Sequence, residues 1–152
     1  MWKKEKILMS QFTDKELEEI NEAFPSIVCP VKPLGNRILV QIRLPKKKTK
    51  SGLILTDDVS DDVYRNEQTA KVIKIGAGAF HFPTTGELWK TGAWFCEGDY
   101  VRVPLHGGDN HWINMENDGQ SDKVLFKTFK DFEVIGLIEG NPLNVKTNYA
   151  YF

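Results

Sequence analysis

An all-β fold, a small and partly open barrel, is what the sequence predicts, and three observations carry that expectation. From residue 31 onward the apolar period is two: Ile38, Val40 and Ile42 interleave with Leu39, Gln41 and Arg43. Short strand-like runs follow at Thr69 to Ile75, Tyr100 to Val103, Val124 to Phe126 and Val134 to Ile138, separated by glycine, proline and aspartate. Five or six such strands in about 110 residues suit a small open barrel better than a large sandwich. The chain of 152 residues has room for one such domain with terminal additions and no second enzyme domain.

Taken in order, Ser10 to Phe24 carries the one persuasive helical pattern. Thr13 can cap, Glu16 stands three residues on, and Leu17, Ile20, Ala23 and Phe24 recur on one face until Pro25 closes the helix. Its polar face is acidic, which argues against anionic lipid. Met1 to Ser10 has only Ile7, Leu8 and Met9 as an apolar core, too short for a signal peptide. Cys29 and Cys96 have no CxxC spacing, so reduced thiols in a cytosolic protein are the simplest reading. Three stretches interrupt the strands and read as loops: Leu44 to Asn66, the glycine- and aromatic-rich Gly76 to Glu97, and the polar His106 to Asp122.

The chemistry candidates are weak. His81, His106 and His111 are the only histidines, and none sits in a nucleophile-elbow context. His106 and His111 belong to a Gly-Gly-Asp-Asn turn and not to a helix that would align two metal ligands. Asp57, Asp58, Asp61 and Asp62 lack the glycine and ligand alternation of a calcium loop, so they read as like charges in a mobile loop. Gly76-Ala77-Gly78 has neither a third glycine nor a helix after it, which leaves no dinucleotide fingerprint. No enzyme activity, metal or cofactor is therefore expected. Lys46, Lys47, Lys48 and Lys50 could contact phosphate, but a net charge of −1 gives no general case for nucleic acid or membrane.

Leu53-Ile54-Leu55 remains. Three large aliphatics with Gly52 before them, lysines upstream and aspartates downstream are either an edge strand folded onto the barrel or a docking tag protected by flanking charge.

At this point the chain resembles the GroES co-chaperonins. Pro33-Leu34-Gly35-Asn36-Arg37-Ile38-Leu39-Val40 is similar to that family's opening strand, and Thr49-Lys50-Ser51-Gly52-Leu53-Ile54-Leu55-Thr56 to its mobile loop. Ala70 to Gly78 resembles the strand ending in Val-Gly-x-Gly, Glu97 to Val103 the Val-Gly-Asp-x-Val strand, and Val124 to Phe126 with Asp131 to Glu139 the closing strands. Gly35-Asn36 departs from the family's usual His-Asp. The resemblance implies a GroES-like barrel over residues 31–140, a mobile loop at about 45–66 and an enlarged roof-type insertion at about 77–97. Residues 1–30 and 141–152 are then extensions.

In function, the resemblance implies a homo-oligomeric ring, a heptamer, that caps an ATP-bound GroEL-type chaperonin and encloses unfolded client protein in the cytoplasm. The partner would bind the ATP, and this chain would need no cofactor. Gly52, Leu53, Ile54 and Leu55 would bind the chaperonin. Val31, Pro33, Leu34, Ile38 and Val40 would form the subunit interface with Val134, Ile135, Leu137 and Ile138 of a neighbour. Phe80, Phe82, Trp89, Trp94 and Phe95 would be roof or client contacts. The enlargement is similar to that of co-chaperonins encoded by bacteriophages, which would work in the host cytoplasm. The competing reading is a monomeric β-barrel that binds single-stranded nucleic acid or another ligand through those aromatics.

Overall fold

The structure is a computed structural model that describes residues 12–45, 57–117 and 120–145. Helix α1 (Asp14–Ala23) forms where the sequence places it. The Thr13 hydroxyl accepts from the Glu16 amide at 3.2 Å and donates to the Glu16 carboxylate at 3.1 Å, so cap and third residue hold each other. Six strands follow: β1 (Arg37–Ile42), β2 (Thr69–Ile75), β3 (Tyr100–Arg102), β4 (Asp109–Asn117), β5 (Gln120–Lys130) and β6 (Gly136–Leu137). They make one antiparallel sheet in the order β4-β5-β1-β2-β3-β6, so among the described residues β4 and β6 are its edges and the sheet is open. The fold is thus mostly β with few helices, the class that the sequence predicts.

Strand β1 sits between β5 and β2, and both of its faces are covered. One face sends Ile38, Val40 and Ile42 into the main core with Ala70, Val72, Val101, Val103, Leu125 and Phe129. The other buries Leu39 with Val124, Phe126 and Cys29, against which Ile27 and Val31 pack. The N-terminal segment after α1 therefore covers the second face of the sheet. At about 1.5–3 kcal/mol for each large apolar side chain removed from water, the paired clusters are the main source of stability.

A close backbone approach explains Gly76-Ala77-Gly78. The Gly78 amide donates to the Gly35 carbonyl and the Gly76 amide to the Arg37 carbonyl, both at 2.9 Å. A Cβ on Gly76 would lie 2.3 Å from the Gly35 oxygen, so no other residue fits there without moving the backbone.

Three expectations are corrected. His106 to Asp122 is not a loop: it contains β4, a strand of 9 residues paired with β5 without interruption from Asp109↔Thr128 to Asn117↔Gln120. Leu44 to Asn66 contains a second helix, α2 (Asp57–Arg65), so the acidic run there is helical and not a loop. The closing strand is shorter than Val134 to Ile138, because a 3-10 turn (Asp131–Glu133) precedes it and the Val134 side chain turns into the core.

Candidate functional site

The segment that carries Gly52, Leu53, Ile54 and Leu55 lies outside the described residues, but the chain on both sides of it is well anchored. On the entry side the Arg43 amide donates to the Thr69 carbonyl at 3.0 Å and the Leu44 amide to the Ala23 carbonyl at 2.9 Å. Pro45 is buried. On the exit side α2 packs on the sheet through Val63 and Tyr64, each 3% exposed. The Tyr64 phenol donates to the Ile42 carbonyl at 3.4 Å and accepts from the Leu125 amide at 3.0 Å, and burial pushes its pKa up, so it stays a neutral donor.

Charges arranged around α2 suit a helix end. Lys127 places Nζ 2.6 Å from the Arg65 carbonyl at the helix C-terminus, where a cation is favoured by the peptide dipoles. Its pKa is lowered by burial first and by the Arg65 charge second. Lys123 reaches Asp61 at 2.7 Å and lies 4.7 Å from the Trp112 ring, which meets Tyr64 edge-on at 5.5 Å between centroids. The acids of the predicted DDxxDD run are thus divided: Asp61 pairs with Lys123 and Asp62 with Arg65 at 3.1 Å. Among the described residues no group of three His, Cys, Asp or Glu could hold a metal ion.

After α2 the buried Glu67 carboxylate accepts from the Gln68 and Thr69 amides at 2.7 and 2.9 Å and so starts β2. Burial raises its pKa, opposed by those two bonds and by the nearby Arg43 charge. Arg43 in turn is lowered by burial and raised by Glu67. This pair sits where both stems of the segment enter the sheet.

The aromatic insertion is divided between core and surface. Phe80 and Phe95 are 4% and 6% exposed and meet edge-on at 5.0 Å, and Trp89 adds a second edge contact to Phe80 at 5.7 Å. Phe80 holds φ 65°, a costly conformation for a bulky residue, and its amide donates to Asp131 Oδ2 at 2.9 Å. Asp131 is 1% exposed and its other oxygen accepts from the Phe132 amide at 2.8 Å, so one carboxylate ties the insertion to the closing segment. Phe80 and Phe95 therefore offer no surface to a roof or client. Phe82 and Trp94 do, at 43% and 44% exposure, as does Leu88, midway between them in sequence, at 54%. Trp94 lies against the half-buried Trp89 with centroids 4.7 Å apart and ring planes tilted by 53°, so these two rings do not form a parallel platform of the kind that stacks on bases.

The expected interface residues are likewise divided. Ile38 and Val40 are fully buried in the protomer and can offer nothing to a neighbour. Pro33 and Val134 are buried, and Val31 and Ile138 are half-buried. Leu34, Ile135 and Leu137 are exposed at 68%, 61% and 45%, and Phe132, absent from the sequence-based set, joins them at 58%. Leu137 lies on the edge strand β6, Ile135 directly before it and Phe132 in the preceding 3-10 turn.

The histidines are occupied locally or exposed. His81 Nδ1 lies 2.7 Å from the Ala79 carbonyl, His111 Nε2 lies 2.8 Å from the Thr128 hydroxyl on the paired strand, and His106 is exposed. No helix among the described residues is long and apolar enough to cross a membrane.

Comparison with known proteins is decisive at the family level. The family model described as the chaperonin 10 Kd subunit matches residues 30–118. The chain belongs to the chaperonin 10 family. Curated relatives named co-chaperonin GroES agree with it: one from Caldicellulosiruptor saccharolyticus is 28% identical over 109 residues, covering 72% of this chain and 97% of the relative. One from Caulobacter sp. is 28% identical over 114 residues, covering 71% and 96%. A third, from Staphylococcus saprophyticus, is 44% identical over 48 residues, or 32% of this chain and 46% of the relative. The chaperonin 10 match begins at residue 30 and takes in β1, α2, β2, β3 and β4, with the aromatic insertion between β2 and β3. α1 lies before it.

Proposed function

We propose that this chain is a co-chaperonin: it assembles into a ring, docks on a GroEL-type chaperonin through Gly52, Leu53, Ile54 and Leu55, and encloses client protein for folding. The observation that carries the reading is the chaperonin 10 match spanning an aliphatic triplet whose two stems are anchored, at Leu44 and at α2. Neighbouring subunits meet through the exposed apolar residues around β6 and Leu34, in a heptamer. The exposed Phe82 and Trp94 face a neighbour at the roof or the client. ATP belongs to the chaperonin, and the cytoplasm is the working compartment, the host's if the chain is phage-encoded.

The energetics suit reversible capping. Burying Leu53, Ile54 and Leu55 contributes about 5–8 kcal/mol gross, at about 1.5–3 for each side chain. Ordering roughly ten loop residues at about 1–2 kcal/mol each offsets most or all of it. One loop therefore binds weakly. Several loops on one ring bind by avidity, and a modest change in the partner groove releases them.

The test is co-sedimentation of the ring with a chaperonin in the presence of nucleotide. Leu53→Asp or Ile54→Asp is expected to leave a folded ring and abolish co-sedimentation. Undiminished binding by both variants would remove the docking assignment, and a monomer in sedimentation at micromolar concentration would remove the ring.

A further inference from the structure

Helix α1 and the residues after it precede the segment that matches the family model, yet they bond directly to the stem of the proposed docking loop. The last carbonyls of a helix have no partner within it. The Ala23 carbonyl finds one in the Leu44 amide, at 2.9 Å, two residues beyond the end of β1. Next along the chain, the Pro25 carbonyl accepts from Gln41 Nε2 at 2.8 Å, and Gln41 is only 2% exposed. Between the two, Phe24 is 4% exposed with its ring 5.2 Å from that of Tyr100 on β3. The stem is thus tied to β2 by the Arg43 amide and to the N-terminal extension by Gln41 and Leu44.

We infer that α1 with Phe24 and Pro25 is a positioning clamp for the chaperonin-docking loop, holding the exit of β1 so that less of the chain has to be ordered when the loop engages its partner. The inference rests on the co-chaperonin reading. Each stem residue released must be ordered again at binding, a loss of about tenfold in affinity per residue. Helix α1 with Phe24 and Pro25 is therefore part of the docking apparatus, acting through the stem of the loop.

The experiment uses the full-length protein in four variants: Phe24→Ala, Phe24→Leu, Gln41→Met and Leu53→Asp. Two quantities are read, hydrogen exchange at the Leu44 amide and affinity for a chaperonin in ATP. The expected result for Phe24→Ala and Gln41→Met is a ring of wild-type size with the β1 ladder still protected, the Leu44 amide released, and affinity about tenfold weaker. Phe24→Leu is expected to restore both readings, and Leu53→Asp to abolish binding with Leu44 still protected. Release of Leu44 with affinity within twofold of wild type overturns the clamp, as does weaker binding with Leu44 fully protected. Gln41→Met carries the test if Phe24→Ala does not fold, since it removes one hydrogen bond and keeps the strand. Wild-type protein that binds no chaperonin defeats the underlying co-chaperonin reading, a result distinct from either of the others.

Discussion

The aromatic stretch Gly76 to Glu97 and the polar stretch His106 to Asp122 exchange the roles that their compositions suggest. The first contains Phe80, Phe82, Trp89, Trp94 and Phe95, yet its regular pairing among the described residues is one isolated bridge, His81↔Leu88. The second is rich in Asn, Asp and Gly, yet it supplies the whole of β4, with the largest set of pairs in the sheet. Hydrophobic content decides what is buried, whereas alternation and a pairing partner decide what becomes a strand. In β4, Trp112 and Ile113 need only half-burial, because β4 is an edge strand. In the insertion, Phe80 and Phe95 enter the core from irregular backbone whose conformation is held by side-chain contacts and one carboxylate.

The sharpest way to break this contrast is Phe80→Ala set beside Phe82→Ala. Truncation of a buried phenylalanine costs about 3–5 kcal/mol, while the exposed ring is expected to cost under about 0.5 kcal/mol. Urea unfolding measures both, and equal effects would mean that the insertion is not divided between core and surface. Asp131→Ala is next. It leaves the Phe80 and Phe132 amides without their carboxylate partner, at about 1–3 kcal/mol for a buried orphaned donor, and it is expected to raise protease cleavage within residues 77–97.

On the other side of the comparison, Tyr64→Phe removes the hydroxyl that joins α2 to Ile42 and to the Leu125 amide on β5. The expected loss is about 1–2 kcal/mol, with faster exchange at the Leu125 amide. An unchanged exchange rate there would show that α2 does not brace the paired strands β4 and β5.

The smallest effect is a pH dependence. Glu67 has a folded pKa above its ordinary value, so between the two values the folded state binds more protons than the unfolded state, and stability falls as pH rises through that window. The stability contribution is fully present below the ordinary glutamate pKa of about 4.3 and is lost above the raised one. Glu67→Gln is expected to flatten this part of the urea-stability profile. A wild-type profile that rises through the same window would contradict the assignment of burial as the main cause.

Much of the fold was legible because its signals are local. The Thr13 and Glu16 spacing marks α1 and the alternation from Ile38 to Ile42 marks β1, whereas the close backbone approach at Gly76 and Gly78 emerged only from the structure. The β4–β5 pairing also had a signal: Asn117-Asp118-Gly119-Gln120 carries an Asp-Gly pair, a strong short-range hairpin cue, but the polar and only partly alternating sequence around it obscured it. α2 was harder to see, since its acidic run favours a solvated loop until two β5 lysines reach it, Lys123 pairing with Asp61 and Lys127 donating to the Arg65 carbonyl.

By itself, then, the sequence determined the all-β class, the order of the first strands and the family resemblance around Leu53 to Leu55. These depend on residue type and on spacings of two to eight positions. Tertiary structure alone decided which aromatics are core and which interface candidates keep a surface, and it tied the N-terminal extension to the stem at Leu44. The reason is distance along the chain: Asp131 meets Phe80 across 51 residues, Tyr64 meets Leu125 across 61 and Lys127 meets Arg65 across 62. No local pattern encodes such meetings. They follow from the order in which β5, β1 and β2 pair, which brings distant polar groups together and leaves each to be satisfied by the other.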